Sequence, residues 1–135
     1  MKAADTSLVV AAFASWHQAH EGARRALDGG LGLIEHCALE SYSVLTRLPP
    51  PHRAPGEVVR DFLAARFPGP LLRMSASTYR EFVLGLPGRL VVGGAAYDAL
   101  VAATAIANDA ELLTCDRRAI PVYERYGVRA HLLTP

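Results

Sequence analysis

Four acidic residues that lie far apart in the chain occupy positions from which a fold could bring them to one point. Asp5 ends an apolar N-terminal segment, and Asp116 follows the apolar run that ends at Cys115. Glu40 and Asp98 lie among apolar neighbours near the start of two predicted helices. Clustered carboxylates repel one another and are difficult to bury. Together they indicate a site for a hard cation, Mg²⁺ or Mn²⁺, which prefers oxygen ligands.

Each of these acids also has a purely structural interpretation. Asp is a favoured helix N-cap, so Asp5 and Asp116 could simply begin the helices that follow them. Glu40 and Asp98 could interact with a helix dipole from the first turn. This interpretation does not explain why Glu40 and Asp98 have apolar neighbours, because a buried carboxylate without a partner is destabilising whereas one bound to a cation is not.

The elements that must position the acids are short strands that alternate with helices. Strands are predicted over 1–4, 31–34, 71–74, 111–115 and 128–133, and helices over 8–14, 17–27, 38–48, 55–67, 76–84, 95–109 and 117–126. Thr6 or Ser7 is the predicted cap of the first helix. The alternation predicts an α/β fold with a parallel sheet between layers of helices. Parallel strands joined by right-handed crossovers end at one edge of the sheet, where Asp5 and Asp116 would emerge together.

Composition restricts the class of protein. A chain of 135 residues with 51% hydrophobic and 20% charged residues forms one globular domain with its own core. No apolar run approaches the roughly 18 residues of a membrane span, and Asp5 interrupts the segment that a signal peptide would need. We therefore expect a cytoplasmic protein in which Cys37 and Cys115 are free and buried. Apart from Lys2 all basic residues are Arg, which suits phosphate binding but also follows from a GC-rich coding bias.

The segments around the acids resemble the motifs of the PIN-domain nucleases, and most closely those of the VapC toxins. They are Asp5-Thr6-Ser7, the helical stretch 38–48 around Glu40, the stretch 97–105 that begins with Tyr97-Asp98, and Leu112-Leu113-Thr114-Cys115-Asp116. They occur in the order of that family, and the resemblance covers residues 1–135 as a single PIN-like nuclease domain. It implies a three-layer α/β/α sandwich around a central, mostly parallel twisted sheet of about five short strands.

The resemblance also implies an activity and roles for residues. The chain would be an endoribonuclease that hydrolyses RNA phosphodiester bonds with one or two Mg²⁺ or Mn²⁺ ions per site. The metal-binding and catalytic residues would be Asp5, Glu40, Asp98 and Asp116. Ser7 and Thr114 would orient a carboxylate or a water by hydrogen bonds. The candidates for RNA contact, chosen because they lie near the acids in sequence, are Arg47, Arg117 and Arg118.

The implied partners are those of a toxin in a toxin–antitoxin pair. The resemblance predicts a homodimer paired through helices and a cognate VapB-type antitoxin. The antitoxin would lay a segment across the acidic site, in a groove formed by the amphipathic stretches 38–48 and 57–67. The apolar faces of these two stretches are equally explained by the core of the domain itself. Some family members carry a further acid or amide shortly after the last Asp, where this chain has Arg117 and Arg118.

Several other functions fit the sequence less well. A receiver domain would need paired acids after its first strand and a late Lys, and a phosphatase with an Asp nucleophile would need a second Asp in place of Ser7. A nucleotide-binding module would need a Gly-rich turn after the first strand. The alternative that remains is a non-catalytic RNA- or protein-binding α/β module, whose acids are structural helix caps.

Overall fold

A four-stranded parallel sheet forms the centre of the computed structural model, which describes residues 1–135. Its strands are β1 (Lys2–Ala4), β2 (Gly32–Leu33), β3 (Glu111–Thr114) and β4 (Ala130–Leu132), in the spatial order β2–β1–β3–β4. All three pairings are parallel. Ala4 pairs with Leu33 on one side and Leu113 on the other, so β1 and β3 end at the same edge of the sheet. The predicted α/β class is confirmed.

The predicted strand over 71–74 contributes only one residue to the sheet. Leu72 forms an isolated parallel bridge with Ile34 beyond β2, through bonds from Leu72 N to Leu33 O and from Glu35 N to Leu72 O. Pro68 and Pro70 precede this segment. A proline has no N–H to donate to a ladder, which keeps the pairing short.

Seven α-helices surround the sheet. They are α1 (Thr6–Phe13), α2 (His20–Asp28), α3 (Glu35–Thr46), α4 (Gly56–Arg66), α5 (Ala76–Gly85), α6 (Ala95–Ala107) and α7 (Ile120–Tyr126). Each lies where the sequence predicts a helix, with different bounds. Short 3₁₀ turns occupy Pro87–Arg89 and Arg117–Ala119, and the second of these replaces the first turn of the helix predicted from 117. No helix has both the length and the apolar character that crossing a bilayer requires.

Two helix starts differ from the predictions in ways that affect the site. The cap of α1 is Asp5, whose side chain accepts a bond from Leu8 N, rather than Thr6 or Ser7. Helix α3 begins at Glu35, three residues before the predicted start, and its N-cap Ile34 makes no side-chain bond. Glu40 therefore lies in the second turn of α3, beyond the reach of the orphan N–H groups at the helix start.

Small side chains fill most of the core. Ten of its 21 buried residues are alanines, contributed mainly by β1, α1, α2 and α6. These helices therefore pack with little bulk between them and the sheet, and a few large residues such as Leu8, Leu112 and Tyr123 fill the remaining space. Helix α5 is different, because none of its residues is buried.

Candidate active site

The four acids line one small pocket at the edge of the sheet where β1 and β3 end. The pocket has a volume of about 60 Å³ and receives side chains from α1, α3, α6, α7 and the segment after β3. Its lining consists of Asp5, Thr6, Ser7, Cys37, Glu40, Tyr97, Asp98, Val101, Asp116 and Tyr123. A larger cavity of about 390 Å³ between α5, α6 and α7 contains only one carboxylate, Glu81. The acids therefore mark the small pocket as the candidate site.

Asp5 is the buried centre of this pocket, with only 3% of its surface exposed. Its Oδ1 accepts bonds from Ser7 Oγ at 2.6 Å and from Leu8 N at 3.1 Å. Its Oδ2 accepts a bond from the Tyr123 hydroxyl at 2.8 Å. Burial raises the pKa of Asp5 above its ordinary value, and the hydrogen bonds from Ser7, Tyr123 and Leu8 oppose that rise. One acceptor position of Oδ2 stays available for another ligand.

Ser7 and Thr114 form a directed hydrogen-bond chain that ends on Asp5. Ser7 Oγ lies 3.1 Å from Thr114 Oγ1 and also accepts a bond from Cys115 N. Because a serine hydroxyl has a single proton and Ser7 directs it at Asp5, Thr114 must be the donor to Ser7. Thr114 in turn accepts a bond from Asp116 N at 3.0 Å. The chain links the turn that carries Asp116 to the Asp5 carboxylate.

Glu40 reaches the pocket from α3. Its Oε1 accepts a bond from Thr6 Oγ1 at 2.6 Å, which ties α3 to the first turn of α1. Its Oε2 lies 3.6 Å from Nε2 of His36, one turn earlier on the same helix. The side chain is partly exposed. It is therefore oriented toward the acids while remaining accessible from solvent.

Asp98 and Asp116 complete the acidic lining. Burial raises the pKa of Asp98, and the charges of Asp116, Asp5 and Glu40 raise it further, whereas Arg118 lowers it. Asp116 Oδ1 accepts a bond from Arg118 N at 3.0 Å and lies 3.5 Å from Arg118 Nε. Burial and the neighbouring acids together disfavour the charged form of Asp98, and a proton or a cation would relieve both effects.

The donor set suits a hard cation. Carboxylate oxygens are the ligands that Mg²⁺ and Mn²⁺ select. The thiol of Cys37 lines the same pocket, but burial raises its pKa, and burial raises that of Cys115 to about 11. In the absence of a metal both thiols therefore favour the protonated form at neutral pH. No group of three His, Cys, Asp or Glu side chains is arranged in this structure to hold a metal ion.

The structural interpretation of the acids holds for three of the four. Asp5 caps α1, and Asp116 caps the 3₁₀ turn that begins at Arg117. Asp98 lies in the first turn of α6, where a carboxylate interacts favourably with the helix dipole, whereas Glu40 lies in the second turn of α3. Each of these roles concerns one acid and its own helix, so they do not explain why four carboxylates share one pocket.

The three arginine candidates have different relations to the pocket. Arg118 is paired with Asp116, and its side chain is almost fully exposed. Arg117 precedes it in the same exposed turn. Arg47 lies at the C-terminal end of α3, where it donates a bond to Ser43 Oγ at 2.8 Å rather than meeting an acid. Only the Arg118 side chain contacts an acid of the pocket.

The sequence pattern did not predict that three further side chains, Tyr123, Tyr97 and His36, lie at or beside the pocket. Tyr123 is only 1% exposed and bonds to Asp5 across 118 positions of the chain. Tyr97 lines the pocket and is stacked on His36. The adjacency of Tyr97 to Asp98 was visible, but contacts between distant residues have no signal in a single sequence.

The repulsion at Asp98 gives a stability prediction. In chelator-treated protein, Asp98→Asn should stabilise the fold at neutral pH. The pKa of Asp98 in the folded state lies above its ordinary value of 3.8, so the free energy of unfolding falls as the pH rises through the folded-state value. Below pH 3.8 the carboxyl is protonated in both states and this loss is absent. Since the group is half-exposed, screening limits the gain to about 1 kcal/mol or less, roughly 3 °C in melting temperature. Thermal unfolding at neutral pH and below 3.8 measures it. An equal gain at both pH values would contradict the electrostatic cause.

Comparisons with known proteins agree with this geometry. Residues 3–125 match the PIN domain family. The chain is 51% identical over 134 residues to Ribonuclease VapC40 of Mycobacterium tuberculosis, covering 99% of this chain and 100% of that protein. It is 41% identical over 132 residues to Ribonuclease VapC27 of the same species, covering 93% and 92%. The crystal structure of FitAcB from Neisseria gonorrhoeae shares the fold, with a TM-score of 0.68 over 96% of both chains at 18% identity. The chain therefore belongs to the PIN-domain family, in its VapC branch.

Proposed function

We propose that this chain is a metal-dependent endoribonuclease and acts as the toxin of a toxin–antitoxin pair. The observation that supports this most directly is the convergence of four carboxylates, from four separate segments, on one pocket. Relatives that match nearly the whole chain carry the name ribonuclease. We assign the activity to the single domain over residues 1–135.

Asp5, Glu40, Asp98 and Asp116 would hold one or two Mg²⁺ or Mn²⁺ ions. When bound, such an ion would supply an activated water and neutralise charge that develops on the phosphodiester. Asp5 is the fixed member of the set, because Ser7, Leu8 and Tyr123 hold both of its oxygens.

The other side chains have supporting roles in this proposal. Thr114 and Ser7 hold the Asp5 carboxylate in one orientation through their directed hydrogen bonds. Arg118, exposed beside Asp116, is suited to meet an RNA phosphate at the rim of the pocket. Arg47 and Arg117 remain candidates for contacts farther along the RNA. The acids repel a polyanion, so RNA binding depends on these cations and on the bound metal.

We further propose a homodimer and a VapB-type antitoxin as partners. Exposed apolar residues support a self-association surface on α5 and the segment that follows it: Val83, Leu84, Leu90 and Val92. Leu90 and Val92 are 81% and 79% exposed, which is unusual for side chains of this kind. The uncompensated negative charge of the pocket would attract a basic residue of the antitoxin, which would thereby block the site. The free cysteines fit action in the cytoplasm, where thiols stay reduced.

The competing function is a non-catalytic RNA- or protein-binding module. The caps made by Asp5 and Asp116 are the observation in its favour. It predicts that the pocket has no affinity for a divalent cation, which gives a direct test.

Calorimetric titration of Mn²⁺ and Mg²⁺ into the partner-free protein distinguishes the two functions. The ribonuclease proposal predicts saturable binding that Asp98→Asn weakens by at least about tenfold, since one carboxylate ligand is lost. Asp61→Asn, in the exposed part of α4, is the matched control and should bind as the unaltered protein does. Absence of saturable binding to folded protein would return the four acids to structural roles.

A further inference from the structure

A pair of stacked rings, Tyr97 and His36, lies beside the acidic pocket and makes no hydrogen bond to the acids. The Tyr97 ring is stacked on the His36 imidazole, with centroids 5.3 Å apart and ring planes 16° apart. Tyr97 directly precedes Asp98 in the first turn of α6 and lines the pocket itself. His36 lies one turn before Glu40 on α3, with its Nε2 3.6 Å from Glu40 Oε2. The pair is therefore attached to two of the four acids.

The exposure of the pair is asymmetric. Tyr97 is 58% exposed, whereas the His36 side chain is mostly buried, with 24% exposed. One face of the Tyr97 ring is covered by the imidazole, and Tyr97 is not a member of either core cluster. The ring is thus held rigidly from below while its open side remains available to a flat ligand beside the acids.

A groove with a basic side chain continues from this pair. It lies between α3, α5 and α6, has a volume of about 530 Å³, and is lined by His36 together with Arg73 and Tyr79. The Arg73 side chain is largely exposed and lies 3.6 Å from Glu35. The acidic pocket, the aromatic pair and the groove therefore follow one another across α3 and α6, and the Arg73–Glu35 pair lies in the lining of the groove.

We propose that Tyr97, backed by His36, is a stacking surface for one base of single-stranded RNA next to the phosphate that the acids process. This proposal rests on the ribonuclease function. An aromatic ring accepts the face of any base, so the contact adds affinity and places the strand without selecting a sequence. Bases inside a duplex have both faces covered by their neighbours, so the surface favours unpaired RNA.

Base-dependent binding tests the proposal. Fluorescence anisotropy would compare a short labelled oligoadenylate RNA with an abasic ribose-phosphate strand of equal length. All proteins would carry Asp98→Asn, which prevents consumption of the probe and reduces repulsion of the polyanion. We expect Tyr97→Ala to weaken oligoadenylate binding by about tenfold and to leave abasic binding unchanged. Tyr97→Phe should bind like its parent, because the ring face is retained.

The chain offers a matched control for an exposed aromatic residue. Trp16 is 49% exposed and packs on His52 with centroids 4.3 Å apart, but it does not line the acidic pocket. Trp16→Ala should leave both affinities unchanged. An equal loss by Trp16→Ala would overturn the proposal, because it would mean that any exposed aromatic ring contributes.

Two other outcomes would also overturn it. If Tyr97→Ala leaves oligoadenylate binding unchanged, Tyr97 makes no energetically important contact with a base. If Tyr97→Ala weakens the binding of both probes equally, Tyr97 does not act through a base. If Tyr97→Ala instead abolishes self-association in sedimentation while RNA binding is kept, the ring is a protein contact. These readouts do not require cleavage, so a failed stacking surface and a failed nuclease function are distinguished.

Discussion

Asp98→Asn is expected to reduce RNA cleavage by about 100- to 1,000-fold or more, the usual effect of removing one group that stabilises developing charge. Asn keeps the shape of the side chain but cannot act as an anionic ligand in a pocket that Asp98 shares with Asp5, Glu40 and Asp116. Growth arrest after induced expression and sequencing of RNA 5′ ends in the same cells measure the loss, whichever RNA is the target.

The control for this substitution is an equivalent change outside the pocket. Asp61→Asn removes an exposed carboxylate from α4, where it contacts only Arg60. It should preserve growth arrest and the pattern of new RNA ends. If folded Asp98→Asn arrests growth as strongly as the unaltered chain, the nuclease proposal fails, and a binding module with structural acids becomes the better account.

Tyr123→Phe is expected to lower the free energy of unfolding by about 2 kcal/mol, as is typical for a hydrogen bond to a buried charged group. The phenol is buried and donates to Asp5 Oδ2 at 2.8 Å, while Phe retains the ring and removes only the donor. Tyr126→Phe, on the same helix and without a hydrogen bond to an acid, should change the stability by less than about 0.5 kcal/mol. Chemical denaturation of both variants measures the difference.

The pH dependence and a double-mutant cycle identify the cause of this effect. Without the phenol, the folded-state pKa of Asp5 should rise further above 3.8, so the loss of stability is largest where this carboxyl is ionised and diminishes as the pH falls through the folded value. In an Asp5→Asn background the effect of Tyr123→Phe should fall to about 1 kcal/mol or less. A loss that is independent of both pH and Asp5 would indicate that the hydroxyl acts elsewhere.

The positions of the two acids at strand ends were predictable from the apolar run before each of them and from the rule that parallel strands end at one edge of a sheet. Asp5 and Asp116 each follow an apolar run, and parallel strands end at one edge, as β1 and β3 do. The start of α3 was not predictable in the same way. Its N-cap is Ile34, which makes no capping bond, so the usual side-chain signal of a helix start is missing.

Contacts between distant segments account for the remaining differences. Leu72 lies in an apolar run that favours a strand, but whether such a run pairs depends on the strand beside it, and β2 is only two residues long. The bond between Tyr123 and Asp5 and the stacking of Tyr97 on His36 are likewise set by packing rather than by local pattern. The convergence of the four acids was therefore predictable from the sequence. The contacts of Tyr123, Tyr97 and His36 around these acids were not.

Because α5 is not buried, the surface that it presents to other molecules is independent of the acids at the edge of the sheet. The acids lie between β1 and α1, in α3, in α6 and after β3, whereas α5 has no buried residue through which a change could disturb them. Substitutions on such a surface usually alter stability by less than about 0.5 kcal/mol. A helix of this kind can therefore change in sequence, and with it the surface that it presents to other molecules, without altering the acids at the sheet edge.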